Sequence, residues 1–169
     1  YVLNTTDPYF TEDGVSRTFE LYHRSSKPYI EQGGNYRMIT SGLGLRFGLP
    51  FSELDRVFVG SAAEQTELVP GTNMLGVHAN LCQQFGCVAS NIPVTAGWAR
   101  DSRDSYLKPN NGKFIRMNSE LGAFGDARYV KFGGQYQQYF AITKQYTFAF
   151  NADLGLGKGL NGQTLPFYK

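Results

Sequence analysis

Between Met38 and Leu49 the chain alternates without a break. Ile39, Ser41, Leu43, Leu45, Phe47 and Leu49 occupy one parity, and Met38, Thr40, Gly42, Gly44, Arg46 and Gly48 the other. A period of two is a strand, because successive side chains point to opposite faces of the pleat. The chemistry of the two faces narrows the choice further. One is almost wholly apolar and bulky, whereas the other is glycine-rich with a single arginine. A soluble sandwich would turn its large residues inward and set charge, not glycine, against water. A barrel in lipid reverses this, with bulky apolar groups outside and small or polar groups within.

The rest of the chain repeats the pattern. Val15, Phe19 and Leu21 oppose Thr18, Glu20, Tyr22 and Arg24, and Val57, Val59 and Ala63 oppose Glu64. Ile92, Val94, Ala96 and Trp98 alternate with Thr95, Gly97 and Ala99, while Ile115, Met117, Leu121 and Ala123 face away from Arg116, Asn118, Glu120 and Gly122. Val130, Phe132, Tyr136 and Phe140 oppose Lys131, Gly133, Gln135 and Gln137. In the last strand Tyr146, Phe148, Phe150, Ala152, Leu154 and Leu156 oppose Thr147, Ala149, Asn151, Asp153, Gly155 and Gly157. Composition agrees: 20 Gly, 11 Tyr and 13 Phe accompany a charged fraction of 18%, below the usual quarter. No window approaches the roughly 18 apolar residues of a membrane helix. The predicted fold class is therefore all-β, an antiparallel up-and-down transmembrane β-barrel. Seven full strands are expected, with Tyr1–Thr6 as a stub.

Seven strands cannot close an even-numbered barrel, and an open sheet in lipid leaves unpaired edges. Residues 1–169 are thus expected to be part of one larger barrel domain, with closure as a small eight-stranded barrel the lesser alternative. Tyr1-Val2-Leu3-Asn4 lacks a signal peptide's charged and apolar regions, which for an exported barrel implies processing or an excised piece.

The connections alternate in kind. Residues 7–14, 50–55, 102–112 and 143–145 fall at one end. Residues 25–35, 67–91, 125–128 and 158–169 fall at the other, which owns the two longest interior loops. Short periplasmic turns and long extracellular loops are the rule for outer-membrane barrels, so the first set is assigned to the periplasm and the second to the cell surface. Residues 75–85 of the 67–91 insertion are expected to hold a short helix. Cys82 and Cys87 lie in that insertion, and a local disulfide between them is the expected state of an exported chain. Free thiols and half a metal site are the competing readings, the latter disfavoured because only His78 is at hand.

A net charge of +2 gives no reason to expect a nucleic-acid partner. No nucleophile–base pair, phosphate loop or His/carboxylate spacing appears, so no catalytic residue, metal or cofactor is expected and the chain is read as a non-enzyme. His23 and His78 are most simply solvated or interior. The densest cluster is the turn from Gly97 to Gly112, which places Arg100, Asp101, Arg103 and Asp104 within five positions. That density suggests a self-satisfying ion and hydrogen-bond network, although on the residues alone a solvated charged turn is the more common state of such a cluster.

Gly97-Trp98-Ala99-Arg100-Asp101-Ser102-Arg103-Asp104-Ser105-Tyr106-Leu107-Lys108-Pro109, continuing to Gly112, resembles the Gly…Asp-Thr-Arg-Asp-Asn…Phe-Pro-Thr…Gly hallmark of the outer-membrane assembly and translocation barrels, the surface-antigen superfamily. Gly97, Asp101, Arg103, Asp104, Pro109 and Gly112 are kept, while Ser102, Ser105, Tyr106 and Asn110 replace Thr, Asn, Phe and Thr. Thr6-Asp7-Pro8-Tyr9-Phe10-Thr11-Glu12-Asp13-Gly14-Val15-Ser16 is similar to a Thr-Asn-Pro-Tyr-Phe-Thr-x-Asp-Gly-Val-Ser segment of the assembly-factor branch, the match resting on Pro8, Tyr9, Phe10, Asp13 and Gly14. Leu165-Pro166-Phe167-Tyr168 matches, more weakly, the segment leading into the family's large conserved loop.

The resemblance covers the chain in order and places it at about the fifth to eleventh strands of the family's barrel. It implies ATP-independent insertion and folding of client β-barrel proteins in the bacterial outer membrane, with outer-membrane lipids, those clients and accessory lipoproteins as partners. The family's polypeptide-transport-associated domains, its Val-Arg-Gly-Phe loop tip and its lateral-gate strands are expected outside these residues. A two-partner-secretion translocation pore, a passive porin and a soluble aromatic-rich β-sandwich are the alternatives.

Overall fold

The computed structural model describes residues 1–27, 36–70, 87–105, 107–143, 145–163 and 165. Eight strands are formed: β1 (Val2–Asp7), β2 (Ser16–Ser26), β3 (Tyr36–Pro50), β4 (Asp55–Pro70), β5 (Val88–Asp101), β6 (Gly112–Gly125), β7 (Tyr129–Ala141) and β8 (Thr147–Gly159). They pair in chain order as one antiparallel up-and-down sheet. The sheet is open, since β1 and β8 are not neighbours; the closed eight-stranded alternative is set aside. The stub pairs fully with β2, from Val2 opposite Tyr22 to Asp7 opposite Arg17.

Among the described residues no apolar core lies beneath this sheet, and few apolar side chains are buried, Leu68, Ala89, Pro93, Ala127 and Tyr129. The accessible surface is 11450 Å², whereas a globular chain of 18.8 kDa exposes about 8300 Å². The excess is apolar and one-sided. Phe19, Leu21, Leu43, Leu45, Val59, Ile92, Val94, Leu121, Val130, Phe132, Phe148 and Leu156 all stand exposed, and the register puts them on a single face. The opposite face carries Thr18, Arg46, Gly60, Thr95, Glu120 and Lys131 in one paired row.

The outward face also sets a thickness. On β4 and β5 it begins at the paired residues Asp55 and Arg100, runs through Val57 with Trp98 and Val59 with Ala96, and turns polar again at Gln65 with Ser90. His23 and Ser41 continue that polar row across β2 and β3. Ten residue steps from Arg100 to Ser90 are about 33 Å of strand, or about 25 Å along the normal at a 40° tilt, the height of the apolar band of outer-membrane barrels. β3 and β4 have 15 and 16 residues, more than the roughly 9–11 that a crossing needs, so their far ends project beyond the band.

Two expectations need correction. The insertion drawn as 67–91 is shorter, because Glu67 pairs with Val88 and Thr66 with Ala89, and the Leu68 amide donates to the Cys87 carbonyl at 2.7 Å. Leu68 and Ala89 are buried, so strand geometry there keeps their backbone groups bonded despite the mixed polarity that read as loop. The helix expected over 75–85 lies outside the described residues. The second correction concerns β6, where strict alternation put Ala123 beside Leu121. The register slips at Ile92/Pro93, and Phe124 becomes the partner of Ile92. Pro93 has no amide to give the ladder, which is where a bulge is tolerated.

Candidate functional site

The long turn between β5 and β6 is the most constructed part of the molecule. Strand alternation decides where its four charges go. Asp101 ends β5 on the inward face, paired with Phe114 of β6, whereas Arg100 before it points outward, paired with Asp55 and Ile115. The single network read from the sequence is therefore two. Arg100 reaches the neighbouring turn, with Nη1 3.6 Å from Asp55 Oδ2, and makes no ion pair with Asp101 or Asp104. Asp55 also accepts from Ser52 Oγ at 2.7 Å, so this outward pair links two turns at the rim.

On the inward side Arg103 folds back on Asp101. Its Nε donates to Oδ1 at 2.9 Å and its Nη2 to Oδ2 at 2.7 Å, while the Arg103 amide adds 3.2 Å to Oδ1. This fork geometry is the strong form of the pair. The two side chains are only 16% and 18% exposed, and the guanidinium lies 5.0 Å from the Phe114 ring centre. The Asp101 hydrogen bond holds the guanidinium above its ordinary pKa, burial opposes it, and Tyr139 adds to the rise. The cation is fixed as a structural clamp.

Asp104 does different work. Its Oδ1 accepts the Asn110 amide at 2.9 Å and its own amide donates to the Asn111 carbonyl at 3.1 Å. The amides of Asn110 and Asn111 hold the exposed carboxylate below the usual carboxylate range. The loop is thereby bridged across its neck, and Ser102 closes the base, its amide donating to the Lys113 carbonyl at 2.9 Å. Gly112 is required at this point: its φ is +104°, and a Cβ would come within 2.2 Å of the Ser102 carbonyl oxygen. Gly97 lies further up the inward face, where a Cβ would meet the Met117 carbonyl oxygen at 3.1 Å. Pro109 is half-buried at the loop tip, and Tyr106 lies outside the described residues.

Sequence reasoning missed the links to neighbouring turns. Thr147 Oγ1 donates to Asn110 Oδ1 at 2.9 Å, and the Ala141 amide to Asn111 Oδ1 at 3.3 Å. Asn110 had registered only as a departure from a motif. Paired asparagines in a long turn beside an adjacent strand end were the available signal.

The β1–β2 turn stands at the same end. Gly14 has φ +79° and donates to the Thr11 carbonyl at 3.0 Å, the bend expected of Asp13-Gly14. Pro8 is exposed, Asp13 is exposed, and Tyr9 is 79% exposed. Phe10 lies against Phe47 of β3, with centroids 6.1 Å apart. At the opposite end, Cys87 is disulfide-bonded, and Cys82 lies outside the described residues.

With this geometry in view, three comparisons are informative. The Omp85 superfamily domain matches residues 1–169. The outer membrane protein assembly factor BamA of Neisseria meningitidis serogroup B is 28% identical over 180 residues, covering 99% of this chain and 22% of that protein. Among solved structures, BamA from Haemophilus ducreyi lacking POTRA domains 1–3 superposes with a TM-score of 0.88 at 18% identity, over 99% of this chain and 34% of that one. The chain spans about a fifth of the length of the curated relative and a third of the solved barrel chain.

Proposed function

We propose, because the chain belongs to the Omp85 superfamily, that it forms part of one outer-membrane β-barrel domain in a bacterial factor that inserts and folds other barrel proteins. The observation that carries this reading is the two-faced sheet. Its outward side is apolar over about 25 Å, its inward side is polar, and the matching relative is named an assembly factor. Outer-membrane lipids contact the outward face. Client barrels and accessory lipoproteins are partners of the whole protein.

We assign these strands the role of supporting wall. Each of the seven junctions from β1 to β8 is hydrogen-bonded, so none of these junctions is the exposed edge that strand templating would use. The Asp101–Arg103 clamp and the Asp104 bridge fix the periplasmic rim, and the work is mechanical, without enzymatic chemistry. Depletion of the complete protein in the bacterium that carries it tests the reading. Folded, heat-modifiable levels of unrelated outer-membrane barrels should fall. Unchanged barrels with loss of one secreted soluble protein would identify a translocation pore instead.

A further inference from the structure

At the periplasmic corner of the outward face, β1, β2 and β3 form a small apolar groove headed by two opposite charges. Thr5, Phe19 and Leu45 pair in one row and line a groove of ≈ 310 Å³ together with Asp7 and Arg17. Asp7 and Arg17 are the next outward pair toward the turn. Their contact is loose: Nη2 to Oδ2 is 3.9 Å, and the side chains are 45% and 44% exposed. The guanidinium is instead steadied from one side by the Phe10 ring, 4.2 Å from its centroid, and Asp7 by the Tyr9 amide at 3.2 Å. Each charge thus keeps hydrogen-bonding capacity in hand while its position is fixed by the turn.

We propose that this corner seats a phospholipid of the periplasm-facing leaflet that carries a primary ammonium and a phosphate, as phosphatidylethanolamine does. The phosphate lies on Arg17, the ammonium on Asp7, and one acyl chain along Thr5, Phe19 and Leu45. Charge complementarity selects the occupant. An anionic lipid would meet Arg17 but be repelled by Asp7, and a free anion would have no use for the groove. A guanidinium suits phosphate oxygens, and a carboxylate suits an ammonium that can donate. The pair also closes the apolar stretch of β1 and β2 next to the turn that joins them, in the register row of Val59 and Ala96. The site rests on the reading that the outward face meets lipid, which detergent dependence of the whole protein tests separately.

The experiment is native mass spectrometry of the complete protein released from detergent micelles, titrated with phosphatidylethanolamine, phosphatidylcholine or phosphatidylglycerol. Phosphatidylethanolamine should bind several-fold more tightly than the other two. Arg17→Gln should weaken it about tenfold, and Asp7→Asn should erase its advantage over phosphatidylcholine, whose quaternary ammonium cannot donate. Thr5→Trp fills the groove without touching either charge and should also weaken binding, which keeps the test open if a charge variant misfolds. Soluble phosphoethanolamine, lacking chains, should not compete. Equal binding of the three lipids, wild-type binding by folded Arg17→Gln or Thr5→Trp, or competition by phosphoethanolamine would each overturn the proposal.

Discussion

Replacing Arg103 by Ala removes the guanidinium from a carboxylate that is largely out of water. Exposed ion pairs contribute about 0–1 kcal/mol, whereas stripping one partner from a buried pair costs about 3–5 kcal/mol. With side chains 16% and 18% exposed, the Asp101–Arg103 pair falls between these limits. Loss of the Phe114 contact adds about 0.5 kcal/mol. The expected cost is about 2 kcal/mol, or roughly a thirtyfold change in the folded-to-unfolded ratio. Asp101→Asn alone should cost less, because the amide side chain still offers an oxygen to the Arg103 amide. The double variant should cost less than the sum, with a coupling of about 1–2 kcal/mol.

Urea unfolding of the complete barrel reconstituted in vesicles, followed by heat-modifiable gel mobility, measures all three variants. If Arg103→Ala, Asp101→Asn and the double variant all unfold with wild-type midpoints, the pair is a solvated decoration and the clamp argument fails. If both single variants are damaged but their effects add without coupling, the fork geometry is not what stabilises the turn.

Asp104 supplies a pH signature. Its carboxyl is held below the ordinary value of 3.8 by amide donors, so its contribution is complete above that value and is lost as pH falls through the depressed one. The Asn110 amide resonance should therefore move with pH only below the ordinary aspartate range, and Asp104→Asn should abolish that movement. If Cys82 is the partner of the disulfide-bonded Cys87, neither sulfur should react with a thiol reagent in unreduced, denatured protein, whereas reaction at both would refute the pairing. Cysteine scanning tests the assignment of faces: Leu45→Cys should react with a membrane-embedded probe and Gly44→Cys should not, and the reverse would turn the sheet inside out.

Much of the fold was legible because lipid imposes alternation directly on the sequence. Ile39 to Leu49 needed only a period of two to define both faces, and the same rule placed Val57, Trp98, Phe132 and Leu156. It failed where the period itself breaks or where polarity stops marking strand. The bulge at Ile92/Pro93 shifts Phe124 into a position that counting gave to Ala123, and one proline in a strand does not reveal which partner gains the extra residue. The ends of β4 and β5 were read as loop because outside the apolar band Glu67, Leu68 and Ser90 no longer need to alternate.

The turn shows the same logic at the level of a site. Counting four charges within five residues suggested a network without revealing its wiring, because proximity in sequence is not proximity in space on a strand. Arg100 and Asp101 are adjacent, yet the pleat sends one outward and the other inward, so a pair between them was excluded once β5 extended to Asp101. Each then takes the partner its own face offers. Asp55 opens β4 next to the neighbouring turn, and Arg103 returns to Asp101 because the loop beyond the strand bends back. This division gives the rim two independent fastenings. The outward one joins the turns before β4 and after β5, whereas the inward one closes the β5–β6 turn upon itself beside Phe114 and Tyr139. Arg100→Gln should accordingly loosen the β3–β4 turn while leaving the Asp104–Asn110 bridge intact, and Arg103→Ala should do the opposite.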